Sequence, residues 1–101
     1  MAGVYWGIMK TQKISFRQLE RIVRGFSNHR RIEIIELLSR EPELSVVEIS
    51  KDLKINFKTA SEHIRRLAIA GLVLKRNEGN SVRHKLTGRA QSILKFLRTL
   101  E

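Results

Sequence analysis

Residues 57–70 carry the side chains best suited to recognition chemistry. Wound as a helix at about 100° per residue, they set Lys58, Glu62, Arg65 and Arg66 on one side, with Thr59 and Ser61 on its flanks. Phe57, Ala60, Ile64, Leu67 and Ala68 fall on the other side and are expected to pack inward. Arginine and lysine reach phosphate oxygens and guanine edges, and short hydroxyls fit where a nucleic-acid backbone comes close. A basic helix alone is equally well a solvated face. The next segment strengthens the case: Arg76, Arg83, His84 and Lys85 punctuate an alternating apolar and polar run over residues 72–86. A two-stranded ribbon with cations along it can follow a sugar-phosphate backbone beside such a helix.

Other chemistries find little footing. Cysteine is absent, which removes disulfides, thiolate metal sites and cysteine nucleophiles and points to a cytoplasmic setting. The three histidines stand one to an element, without metal-ligand spacing. His29 is expected in solvent, His63 hydrogen-bonded at the border of the core, and His84 on the hairpin, facing nucleic acid or nothing. No nucleophile elbow, paired inward carboxylates or phosphate-cradling glycine loop occurs. No metal or cofactor is therefore expected, and the chain reads as a binding protein rather than an enzyme.

Twenty Lys and Arg against ten Asp and Glu leave a net charge of +10. That excess suits nucleic acid, an anionic membrane surface or an acidic protein. Its distribution is uneven. Residues 1–30 hold six basic and one acidic residue, residues 31–53 three and six, and residues 54–101 eleven and three. A basic C-terminal half behind an acidic middle suggests one polar binding face.

The elements that position these residues follow from caps and periodicity. Ser15 with Gln18 makes a capping box for a first helix, whose Leu19, Ile22, Val23 and Phe26 share one face and which Gly25 and Ser27-Asn28 are expected to end. Asn28 caps a second helix to about Arg40, stopped by Pro42 and apolar enough to be central. Ser45 with Glu48 opens a short third helix, and Asn56 caps the fourth, closed by Gly71. Only Lys54-Ile55-Asn56 join these last two, which forces a helix-turn-helix crossing. Strands at 72–76 and 81–86 follow, separated by a four-residue loop, and Thr87 caps a last helix over about 88–100. The order is α-α-α-α-β-β-α: a mainly α winged helix-turn-helix with a small β-hairpin.

The run from Arg31 to Leu86 resembles the ArsR-type winged-helix regulators and, more loosely, the MarR-type ones. The resemblance lies in Arg31-Ile32-Glu33-Ile34-Ile35-Glu36-Leu37-Leu38, Leu44-Ser45-Val46-Val47-Glu48-Ile49-Ser50, Thr59-Ala60-Ser61-Glu62-His63-Ile64-Arg65-Arg66-Leu67 and Ala70-Gly71-Leu72-Val73. It implies a recognition helix from Phe57, a wing at residues 72–86 and a dimer built from the terminal helices, and Ser61 and His63 match the family's serine and histidine there. Two departures stand out. Lys54 replaces the glycine often found after the motif's first helix, so the turn is expected to be altered. The sensor members' cysteine pair would fall at Val46 and Val47, and residues 88–101 lack histidine, so metal sensing is not carried over.

The resulting expectation is a homodimeric regulator of double-stranded DNA, contacting it through Lys58, Thr59, Ser61, Glu62, Arg65, Arg66, Arg76, Arg83 and Lys85. Its dimer interface would hold Leu19, Ile22, Phe26, Ala90, Ile93, Leu94, Leu97 and Leu100, because apolar stripes of that size seldom stay exposed on soluble proteins. A protein adaptor docking on an acidic partner is the alternative, kept open by the acidic middle and the outward Glu62. An RNA-binding winged helix is a third reading, weakened because exposed aromatics are few. Any small-molecule effector is unknown. Residues 1–13 are expected to form a loosely ordered leader ahead of one domain over residues 14–101; the apolar stretch at 1–9 is too short to span a membrane.

Overall fold

Capping side chains open every helix of the computed structural model, which describes residues 14–101. The expected leader at 1–13 lies outside the described residues. Ser15 Oγ accepts from the Gln18 N–H at 3.1 Å while Gln18 Oε1 accepts from the Ser15 N–H at 2.7 Å, starting α1 (Phe16–Phe26). Asn28 caps α2 (His29–Arg40), a Ser45–Glu48 box opens α3 (Val46–Leu53), Asn56 caps α4 (Phe57–Ile69), and Thr87 caps α5 (Gly88–Arg98). Between α4 and α5, β1 (Val73–Glu78) and β2 (Ser81–Leu86) pair antiparallel.

α2 is the central element, packing against α1, α3, α4, β2 and α5. Ile34, Ile35 and Leu38 from α2 meet Ile49 of α3, Ile64 and Leu67 of α4, and Leu72, all fully buried. Each such side chain contributes about 1.5–3 kcal/mol of transfer free energy. The chain at Gly71, with φ +76°, turns out of α4 in the left-handed region glycine tolerates. Arg89 and Thr87 then donate to the carbonyls of Ala70 and Gly71 at 3.2 and 2.7 Å, closing the end of α4.

Three expectations about the elements are corrected. Gly25 does not end α1: it is buried inside the helix, where a methyl group would collide with Cβ of Ala70 on α4. Its role is close approach of two helices. The hairpin loop is two residues, not four. Asn77 pairs with Val82 and Glu78 with Ser81, and Gly79 at φ +61° supplies the tight corner. Glu78 belongs to β1, where its carboxylate also pairs with Arg76 at 2.9 Å. Phe57 lies outside the core, 54% exposed, because it occupies the first turn of α4 beyond the reach of α2 and α3. Lys54, at the turn between α3 and α4, takes the left-handed conformation itself, φ 55° and ψ 47°.

The terminal helices also differ from expectation. Ala90 (0% exposed) and Leu94 (7%), expected in a dimer interface, are buried in the chain's own core. Ile22, Phe26 and Ile93 pack partly against that core. Among the apolar side chains of α1 and of residues 88–101, the exposed ones are Phe16, Leu19, Val23, Phe96 and Leu100. Several of them rim an apolar groove between α1 and α5. The reason is rotational: α5 turns its small Ala90 inward against the hairpin and α2, which carries Phe96 out to solvent.

Candidate nucleic-acid interface

The outward side of α4 presents Lys58, Thr59, Ser61, Glu62, Arg65 and Arg66, all exposed. Ala60, Ile64 and Leu67 anchor the opposite side in the core, so the helix cannot roll and the outward set is fixed in direction. Its N-terminus is already organised: Asn56 Oδ1 accepts from the N–H groups of Lys58 and Thr59 at 2.7 and 3.3 Å.

Charge on this face is knotted rather than free. Glu62 receives both Nε and Nη2 of Arg65, at 3.0 and 2.8 Å, and Nε of Arg66 at 3.2 Å. These bonds, Arg65 first, pull the Glu62 carboxyl down to about 2. It stays ionised at any physiological pH. Lys58 and Lys85 are exposed and make no ion pair among the described residues.

His63 sits half-buried where α4 meets α2. Arg31 Nη1 lies 3.2 Å from its Nδ1, and a guanidinium can only donate, so Nδ1 is the acceptor and the ring is neutral. Burial, then the Arg31 charge, hold its pKa below 6.5. The expectation of a packed, hydrogen-bonded histidine matches this geometry.

The hairpin departs further from a row of open cations. Arg76 Nε donates to Glu43 Oε1 at 2.7 Å and Nη2 to Glu78 at 2.9 Å. Arg83 reaches Glu48 at 2.8 Å and the Glu43 carbonyl at 3.3 Å. His84 is fully buried, not on the wing's surface. Its N–H and its Nδ1 both meet the Leu44 carbonyl, at 3.0 and 2.9 Å, where the segment before α3 bridges to β2. Sequence reasoning missed Glu43 and Glu48 as the groups that seat the wing. The clue was available: both stand in the acidic stretch, where Glu43 had no assigned partner and Glu48 only its capping role.

Among the described residues no three His, Asp or Glu side chains gather as a metal-ligand set, and no helix is long and apolar enough to cross a membrane.

Comparison with known proteins agrees with this architecture. Residues 28–75 match the profile of the bacterial regulatory protein arsR family. A cadmium resistance transcriptional regulatory protein CadC homolog of Staphylococcus aureus is 32% identical over 66 residues, covering 65% of this chain and 54% of that one. An HTH-type transcriptional regulator of Mycobacterium tuberculosis is 32% identical over 71 residues, 70% of this chain and 31% of the relative. The chain therefore spans about half and about a third of the lengths of these two relatives. A solution structure of a homodimeric winged helix-turn-helix DNA-binding domain from Mycobacterium bovis superposes with TM-score 0.76 at 27% identity, covering 83% of this chain and 78% of that domain.

Proposed function

We propose that the chain, whose residues 28–75 match the profile of the bacterial regulatory protein arsR family, is a transcriptional regulator of that family that binds double-stranded DNA as a homodimer. In this reading α4 enters the major groove and the hairpin lies along the backbone. The observation that carries it is the outward face of α4: Lys58, Thr59, Ser61, Arg65 and Arg66 are all exposed on a helix whose other side is locked into the core. Lys58 and Lys85 supply freely exposed charge for phosphates. In this reading Thr59 and, once released from Glu62, Arg65 discriminate bases.

The acidic residues that kept a protein adaptor in view are largely used within the chain. Glu33 pairs with Arg30, Glu36 with Arg40 and Arg98, Glu43 with Arg76, and Glu48 with Arg83. A two-fold axis between apolar faces of α1 and α5 would set the recognition helices about 34 Å apart, one turn of B-DNA.

Selection of bound duplexes from a random pool, followed by a salt titration, tests the reading. For about eight neutralised phosphates per dimer, log K falls against log salt with a slope near −7. Thr59→Ala and Arg65→Ala change the ranking of sites, whereas Lys58→Ala lowers affinity for all of them. A salt slope near zero removes the nucleic-acid reading, and an unchanged ranking removes α4 as the reader.

A further inference from the structure

We infer that the groove between α1 and the C-terminal half of α4 binds a small organic anion, a carboxylate or phosphate monoester with a short apolar body. Arg21 and Arg24 line it from α1, and Arg65 and Arg66 from α4, over a floor of Gly25, Ile69 and Ala70. Its volume, about 350 Å³, suits a metabolite-sized ligand.

The charges around this groove repel one another. Arg31 lies behind it: its Nη2 donates to the Arg24 carbonyl at 3.3 Å, and its Nε is buried without a hydrogen-bond partner. Burial and then Arg66 push the Arg31 guanidinium below its ordinary pKa. Among the described residues, Glu20, paired with Arg24 at 3.3 Å, and Glu62, shared by Arg65 and Arg66, are the carboxylates that stand against these arginines. Arg21 has no carboxylate partner among the described residues. An anion set among these guanidiniums would relieve the repulsion through charge-assisted hydrogen bonds.

The floor separates an amphipathic ligand from a bare phosphate. Ile69 is 72% exposed beside the arginines, and a phosphodiester backbone would leave it wet. An alkyl or aryl body would cover it. Arg65 and Arg66 also belong to the outward face of α4, so a ligand holding them withdraws them from a duplex. That regulatory half rests on the nucleic-acid reading; the binding half does not.

Isothermal titration calorimetry of the full chain with octyl phosphate tests the site, with inorganic phosphate and 1-octanol as its two halves. Octyl phosphate is expected to bind once per protomer, more tightly than either half, and about tenfold or more weakly to Arg21→Gln/Arg24→Gln. A second variant, Ile69→Ser, keeps every arginine; it is expected to weaken octyl phosphate and leave inorganic phosphate unchanged, and it decides alone if the double variant does not fold. Unchanged octyl phosphate binding in the variants, or either half binding as tightly as the whole, overturns the site. If Arg21→Gln/Arg24→Gln instead reduces the duplex salt slope by about three to four per dimer, the groove is a phosphate-contact surface and the proposal is overturned. Saturating octyl phosphate is expected to raise the duplex Kd of the wild type about fivefold or more. Duplex binding that ignores it overturns the regulatory half. A chain that binds octyl phosphate but no duplex sinks the nucleic-acid reading and leaves the site standing.

Discussion

Arg83 on β2 donates through Nη1 to Oε1 of Glu48 at 2.8 Å, and the same oxygen accepts the Ser45 N–H at 2.8 Å. One carboxylate thus caps α3 and seats the wing. Its pKa is held below the ordinary carboxylate range, first by Ser45 and then by Arg83. Arg83→Ala is therefore expected to lower the thermal midpoint of unfolding and loosen the hairpin. If Arg83 spends its charge on Glu48, the duplex salt slope changes by clearly less than the about two per dimer that a phosphate contact in each half-site would remove. A full drop of two with unchanged stability would return Arg83 to the DNA contacts.

Dimerisation is expected to run through the exposed side chains of α1 and α5 rather than through Ala90 and Leu94. Phe96, at 56% exposure, lies on the rim of the groove between those helices. Phe96→Glu should give folded monomers whose duplex affinity falls about tenfold or more, because the linked second half-site is lost. Sedimentation equilibrium reads this directly. A wild-type chain that remains monomeric at high micromolar concentration ends the dimer model.

The turn between α3 and α4 runs through Lys54 at φ 55°, a conformation that costs a side-chain-bearing residue about 1–2 kcal/mol. Glycine adopts it freely but is more disordered when unfolded, which offsets part of the gain. Lys54→Gly is expected to raise stability by about 0.5–1 kcal/mol with unchanged denaturant dependence. Urea unfolding checks this, and a loss of stability would mean that the Lys54 side chain itself holds the turn.

Burial pushes the His84 imidazole below 6.5, against the opposing pull of the Leu44 carbonyl. As pH falls through about 6.5 the unfolded chain takes up a proton that the folded chain resists, so stability is complete above that pH and declines below it. His63 shifts in the same direction. The thermal midpoint should be flat above about pH 7.5 and fall below about pH 6.5, and His84→Asn should make that fall shallower. A midpoint independent of pH between about 5.5 and 7.5 would show that neither ring resists protonation.

What was legible beforehand came from short range. The Ser15–Gln18 and Ser45–Glu48 boxes and the Asn28, Asn56 and Thr87 caps join residues two or three apart. Their helices therefore start where the sequence places them. The same locality exposes the face of α4 from Lys58 to Arg66, since one turn of helix determines which residues share a side. It does not show where a helix ends in space. That is why Phe57, sharing a side with Ala60 and Ile64, looked like core and is exposed.

The amino-acid sequence by itself determined the element order, the helix-turn-helix crossing and the outward set on α4, because caps, periodicity and turn length act within a few residues. Only the tertiary structure decided which charges are free and which apolar groups are spare. The pairs of Arg76 with Glu43 and Arg83 with Glu48 span 33 and 35 residues, and the bond from His84 to Leu44 spans 40. Nothing local encodes such distances. Likewise, the position of α5 on α2 buries Ala90 and Leu94 and exposes Phe96, a rotation that depends on how whole elements pack.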